Sequence, residues 1–205
     1  TVQIMQYQGY MPIQASSPVL LTFVYGFLMT LGQHLGGNNL GLFFCVLFQV
    51  ALGLYALSFG CEEAASRSGK KYIGVILCLF FGLAMVYPSL AQGALKDAVY
   101  SPLFLLLVIF YCRALEDGPK KNLIPLVILA LLCGATRKGG MYLSALILLC
   151  LACQKNLRRF AVISCLTLVA VHGVVNWAIY PAVGIESPDE KENYSFFYQL
   201  TGYYC

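Results

Sequence analysis

The sequence predicts an all-α membrane protein, a multi-pass helical bundle, and three observations carry that prediction. Hydrophobic residues fill 60% of the 205 positions and charged residues only 11%, with a mean hydropathy of +0.75. No soluble domain of this length has that balance. The apolar residues fall in long runs, several near the roughly 20 that a membrane helix needs. The charges, which sum to a net +4, gather between those runs. No nucleic-acid partner is expected. The nine cysteines are scattered, most of them inside apolar runs where they act as small hydrophobes. Cys150-x-x-Cys153 has redox-motif spacing but sits on an apolar segment without a βαβ context. The chain begins at Thr1 and stops at Cys205 inside an aromatic-rich stretch, which reads as a fragment of a longer protein.

Residues 1–17 carry Gln3, Gln6, Gln8 and Gln14 and no charge, and are expected to form an outer loop. Pro18 opens a helical run over 18–35. Thr22, Gly26, Thr30 and Gln33 interrupt its apolar character, and Gly36-Gly37-Asn38-Asn39 stops it. That mixed face favours a helix lying at the interface. The bundle then occupies 40–180. Leu40–Gly60 spans, with Gln49 expected to face neighbouring helices. Cys61–Lys71 is a charged loop, and Tyr72–Leu90 spans again. Ala91–Val99 is a polar loop holding Lys96-Asp97, and Ser101-Pro102 starts a span that runs to Leu115. Glu116–Lys121 is a charged turn, Gln154–Arg159 is basic, and Phe160–Tyr180 is the last span. Residues 181–205, acidic and then rich in Tyr and Phe, read as an outer amphipathic tail.

Between the charged turn and the basic segment lie two apolar runs, Leu123–Ala135 and Met141–Cys153, each of 13 residues. Both are too short for a straight span. Read as one helix they would carry Arg137 and Lys138 at its centre, where each cation costs about 2.5–3.5 kcal/mol. A helical hairpin turning at Gly139-Gly140 avoids that cost and delivers Arg137 and Lys138 to a cleft near one membrane face. With these arms the count is about six membrane segments plus interfacial helices. A cationic tip on short helices suits a lipid-linked phosphate; snorkelling of the same cations to headgroups is the plainer alternative.

One set of loops and loop edges holds Arg67, Lys70, Lys71, Arg113, Lys120, Lys121, Lys155, Arg158 and Arg159. The opposite set holds Lys96, Arg137, Lys138 and Lys191. Nine cations against four place the first set in the cytoplasm. Lys96-Asp97 and the Arg137 tip then share the outer face. There Asp97 can orient Arg137 or an acceptor, while Lys96 meets phosphate; a local salt bridge or a helix cap is the competing reading. Arg137 is the better phosphate ligand, because its fork holds two oxygens and stays charged. His172, Asn176 and Tyr180 recur at i, i+4 and i+8 on one helix face. They either line the same cavity or serve helix–helix hydrogen bonding. Trp177 and Tyr180 also fit an interfacial aromatic belt.

The order of these features resembles the GT-C class of integral membrane glycosyltransferases. It is closer still to a family of functionally uncharacterised multi-pass proteins of Gram-positive bacteria thought to share that fold. In that family a Trp-His-Pro-like motif ends an outer loop, where this chain has Ser16-Ser17-Pro18. A later Trp-Lys-Asp corresponds to Leu95-Lys96-Asp97. A hairpin tip of Arg-(His/Asn)-Asn-Gly corresponds to Arg137-Lys138-Gly139-Gly140. A Ser-(Ile)-Pro-x-Gln-Gln-like stretch is echoed by Ser195-Phe196-Phe197-Tyr198-Gln199. The family's His and Trp are replaced by Ser17 and Leu95. No carboxylate precedes Glu62, so the base that such enzymes carry in their first outer loop is expected upstream of Thr1 or absent.

The resemblance implies an inverting transferase of the bacterial plasma membrane, with a divalent metal ion optional and no other cofactor. The donor would be a polyprenyl-phosphate-linked sugar held by Arg137, with Lys138 and Lys96. The acceptor would be a cell-envelope component, with Asp97 the catalytic residue expected to orient Arg137 or the acceptor. Membrane lipids are the remaining partners. A transporter or lipid flippase with a broken-helix substrate site is the alternative.

Overall fold

A computed structural model describes residues 7–9, 18–83, 96–116, 119–154, 156–182 and 185. Among them there is no strand. The helices are α1 (Val19–Gly36), α2 (Asn38–Ser68), α3 (Lys71–Leu83), α4 (Lys96–Glu116), α5 (Pro119–Thr136), α6 (Lys138–Leu151) and α7 (Arg158–Val174). A π-helical turn, Val175–Ile179, and Tyr180–Ala182 continue α7. Four segments are long and apolar enough to cross a membrane: α1, α2, α4 and α7 with its extension. The chain is built as an all-α membrane protein. Most of the 1–17 loop, the second half of the span placed at 72–90, Leu95 and the motif at 195–199 lie outside the described residues. So does nearly all of the 181–205 tail.

α1 and α2 form a tight antiparallel hairpin. Gly37 alone separates them, at φ +100°, a backbone conformation that favours glycine. The helices touch through small residues. A Cβ on Gly32 would stand 2.2 Å from the Cα of Gly41, and one on Gly41 would stand 2.8 Å from the carbonyl oxygen of Met29. Further along, the Cys45 thiol donates to the Tyr25 carbonyl at 3.7 Å. Val19, Leu21, Thr22, Tyr25 and Met29 are buried on this face, and Gln49 is fully buried on the facing helix. The segment placed at the interface by its mixed composition is therefore the first arm of a packed hairpin. Its polar and small residues serve close helix contact.

α2 runs on to Ser68, through what reads in sequence as a charged loop. Glu63 and Arg67 explain this, because they pair at i, i+4 with Nε–Oε1 2.9 Å. Gly69 then ends the helix in the left-handed conformation, φ +66°. Glu63 also receives Arg113 of α4, Nε–Oε2 2.8 Å, and Arg67 reaches Glu116. The Arg113 guanidinium lies 4.5 Å from the centroid of the Phe59 ring. This four-charge cluster clamps α2 to α4, side by side and parallel. Gly60 lies opposite Leu105 and Ile109, and Phe59 stacks on Phe110 at 5.8 Å.

α4 begins at Lys96, so Lys96–Val99 are helical rather than loop. Pro102 sits inside it, one turn in, where its missing N–H leaves an early carbonyl to another donor. The Ser101 hydroxyl beside it donates to a different carbonyl, that of Asp97, at 2.8 Å. The core gathers α1, α2, α4, α5 and α6 around Leu21, Tyr25, Leu107, Leu126, Leu148 and Leu151. α7 buries Ala161, Ser164 and Leu168 and turns most of its surface outward.

Candidate functional site

The hairpin of short helices exists, but its turn is at Arg137. α5 ends at Thr136, Arg137 is extended (φ −151°, ψ 132°), and α6 starts at Lys138 with Arg137 as its N-cap. The Arg137 N–H closes the last turn of α5 on the Cys133 carbonyl at 3.2 Å. The Thr136 hydroxyl satisfies the Leu132 carbonyl at 2.9 Å. Gly139 and Gly140 lie within the first turn of α6. Gly140 is required by contact rather than by a bend: a Cβ there would stand 2.3 Å from the Cys133 carbonyl oxygen and 2.8 Å from Cε2 of Tyr100.

This turn meets the start of α4. Arg137 Nη1 stands 3.0 Å from Asp97 Oδ1, with the two side chains 49% and 44% exposed. The contact joins a carboxylate in the first turn of one helix to a guanidinium at the N-cap of another. Both helix starts carry a partial positive charge. Lys96 is exposed at the first position of α4, and Lys138 is the first residue of α6. The Arg137 guanidinium also lies 5.3 Å from the centroid of the Tyr100 ring.

Depth follows from helix rise. Asp97 is 16 residues above Arg113 on one helix, and Arg137 is 16 above Lys121 on another, each about 24 Å at 1.5 Å per residue. A hydrocarbon layer is about 30 Å thick. With Arg113 and Lys121 at one headgroup layer, the ion pair lies about 6 Å short of the other.

His172, Asn176 and Tyr180 lie at the C-terminal end of α7 and in its extension. The Asn176 amide donates to the His172 carbonyl at 2.8 Å, within its own helix. The π turn at Val175–Ile179 interrupts the 3.6 period that would keep the three on one face. Trp177 is 89% exposed, as a residue at the membrane interface would be. Among the described residues no group of three or more His, Cys, Asp or Glu is placed to hold a metal ion. Sequence reasoning missed Tyr100, which a helix begun at Lys96 would have put one turn below Asp97.

No curated protein and no solved structure matches this chain. The match that exists is to the chain's own family and covers residues 12–203, from before α1 to beyond α7. The chain belongs to DUF6020, a family of unknown function.

Proposed function

We propose that this protein is a membrane glycosyltransferase of GT-C type that moves a sugar from a polyprenyl-phosphate donor to a cell-envelope acceptor on the outer face. The observation that carries the reading is the contact between Asp97 and Arg137 at two converging helix starts. A transferase of this kind needs a cation fixed at the departing phosphate, and a carboxylate in contact with the guanidinium fixes it. The acceptor oxygen attacks the anomeric carbon on the face away from the phosphate and passes its proton to a base outside this pair, while Asp97 orients Arg137. The bond to the lipid phosphate breaks, and Arg137 holds the phosphate that leaves, with Lys96 and Lys138 adding positive charge. A pair set about 6 Å inside the membrane boundary suits a donor whose phosphate sits at the base of the headgroup layer. The helix break at Arg137 also favours a second reading, a transporter or flippase with its substrate site at a broken helix.

The test is binding of a polyprenyl phosphate to the full-length protein in detergent, wild type against Arg137→Ala. Saturable binding lost in a folded Arg137→Ala protein supports the donor site, and transfer of a labelled sugar separates the transferase from the transporter. Equal binding by both proteins, or none by either, removes the donor site.

A further inference from the structure

The rim of the proposed site is charged, while beneath it lies a single held aromatic ring, and its role rests on reading the site as a phosphate pocket. Tyr100 is 6% exposed, and its hydroxyl has no hydrogen-bond partner among the described residues. The ring is gripped from several sides. Arg137 lies over it, and Phe104 stacks on it with centroids 5.7 Å apart and planes at 25°. Its Cε2, next to the carbon bearing the hydroxyl, is in contact with the first turn of α6 at Gly140, where any side chain would collide. The hydroxyl therefore cannot swing out to water, and it is fixed beside the start of a 14-residue helix. The first N–H groups of such a helix have no partner one turn back.

A buried hydroxyl without a partner costs stability that a phenylalanine of the same shape would not. Yet this one sits where donors converge, the Arg137 guanidinium and the phenol itself, beside the positive start of α6. Convergent donors around positive helix ends suit the oxygens of a phosphate. We infer that the Tyr100 hydroxyl donates to the phosphate that Arg137 holds, and that its ring fixes Arg137 in place. Tyr100 is in this sense both a ligand contact and a positioning residue. The phosphate can belong to a lipid headgroup or be free phosphate.

The experiment measures binding of farnesyl phosphate to full-length protein in detergent, wild type against Tyr100→Phe, together with the Tm of both proteins without ligand. Tyr100→Phe keeps the ring, the stacking and the fold. Affinity should fall about ten- to 150-fold, the loss of one hydrogen bond to a charged group, while the Tm of the free protein stays level or rises. Any other combination overturns the inference. Unchanged affinity means the hydroxyl does not touch the ligand, and a lowered Tm means it already has a partner within the fold. Failure of wild type to bind farnesyl phosphate overturns the phosphate site itself, whereas binding that Tyr100→Phe retains overturns only the role of Tyr100. Inorganic phosphate is then added as competitor. Displacement at equal concentration assigns free phosphate as the ligand, and none assigns the lipid; both outcomes support the hydroxyl's role.

Discussion

Removing Asp97 should cost more stability than removing Arg137, although the two form one ion pair. The pair is half-exposed, with Nη1–Oδ1 at 3.0 Å, so its mutual attraction is worth roughly 0.5–1 kcal/mol. Asp97→Asn loses that attraction. It also loses the favourable placement of a carboxylate in the first turn of α4, a further ~0.3–1 kcal/mol. Arg137 is left facing two positive helix ends and Lys96. The sum is about 1–2 kcal/mol. Arg137→Gln loses the same attraction and its contact with the Tyr100 ring, worth ~0.5–1 kcal/mol. It also lifts a cation away from those helix ends, which returns ~0.3–1 kcal/mol. The net is about 0.5–1 kcal/mol. Thermal unfolding of the two single variants and the double variant in one detergent yields a coupling energy. The expected result is a coupling of about 0.5–1 kcal/mol with Asp97→Asn the costlier single change. Zero coupling, or a larger loss for Arg137→Gln, would show that the two side chains do not meet or that the helix ends do not act on them.

Two further outcomes follow from the fold. Gly41→Ala should destabilise the protein by about 1–3 kcal/mol, because the new methyl meets the Met29 carbonyl. Gly82→Ala in α3, with nothing within 4 Å of its Cβ, should be neutral or stabilise by up to ~1 kcal/mol; equal Tm shifts for both would deny the close α1–α2 contact. In cells, a membrane-impermeant thiol reagent should label a cysteine placed at Ser187 and spare one placed at Ser68. The reverse pattern would invert the orientation and put the Asp97–Arg137 pair on the cytoplasmic side.

The charges that meet at the site are legible in the sequence because cations near the middle of apolar runs are few and costly. Arg137, Lys138 and the isolated Lys96-Asp97 stand out on that ground alone. Their local conformations were harder to read, since each signal has two physical meanings. The glycine pair after Lys138 reads as a turn, yet Gly140 is there for the approach of the Cys133 carbonyl and Tyr100. Pro102 reads as a helix start, the commonest place for proline, and hides the turn that begins at Lys96. Charges at 62–71 read as a loop, although Glu63 and Arg67 support each other at helical spacing. Gly32 and Gly41 belong to patterns too common in membrane helices to weigh, and only the facing helix shows that they are the contact. The stripe from His172 to Tyr180 assumes an unbroken period. Nothing in Val175–Ile179 announces the π turn that ends it.

Unequal helix lengths give the site its setting. α2 has 31 residues, about 46 Å, whereas α5 has 18 and α6 has 14, about 27 and 21 Å. Glu63 is held opposite Arg113 at one end, so α2 and α4 are in register there. From Glu63 back to Asn38 is 25 residues, and from Arg113 back to Asp97 only 16. α2 therefore rises past Asp97 by roughly nine residues, about 14 Å. α1 returns along α2, and its part next to Gly37 adds bulk to that same wall. The Asp97–Arg137 pair thus sits at the foot of a step, with the α1–α2 hairpin standing above it. Among the described residues, such a step covers the pair on one side, that of the α1–α2 hairpin. On the transferase reading proposed above, a lipid-borne phosphate would reach the pair by lateral diffusion and a polar acceptor from above. On that reading, substrates of opposite solubility would meet there without either leaving its own phase.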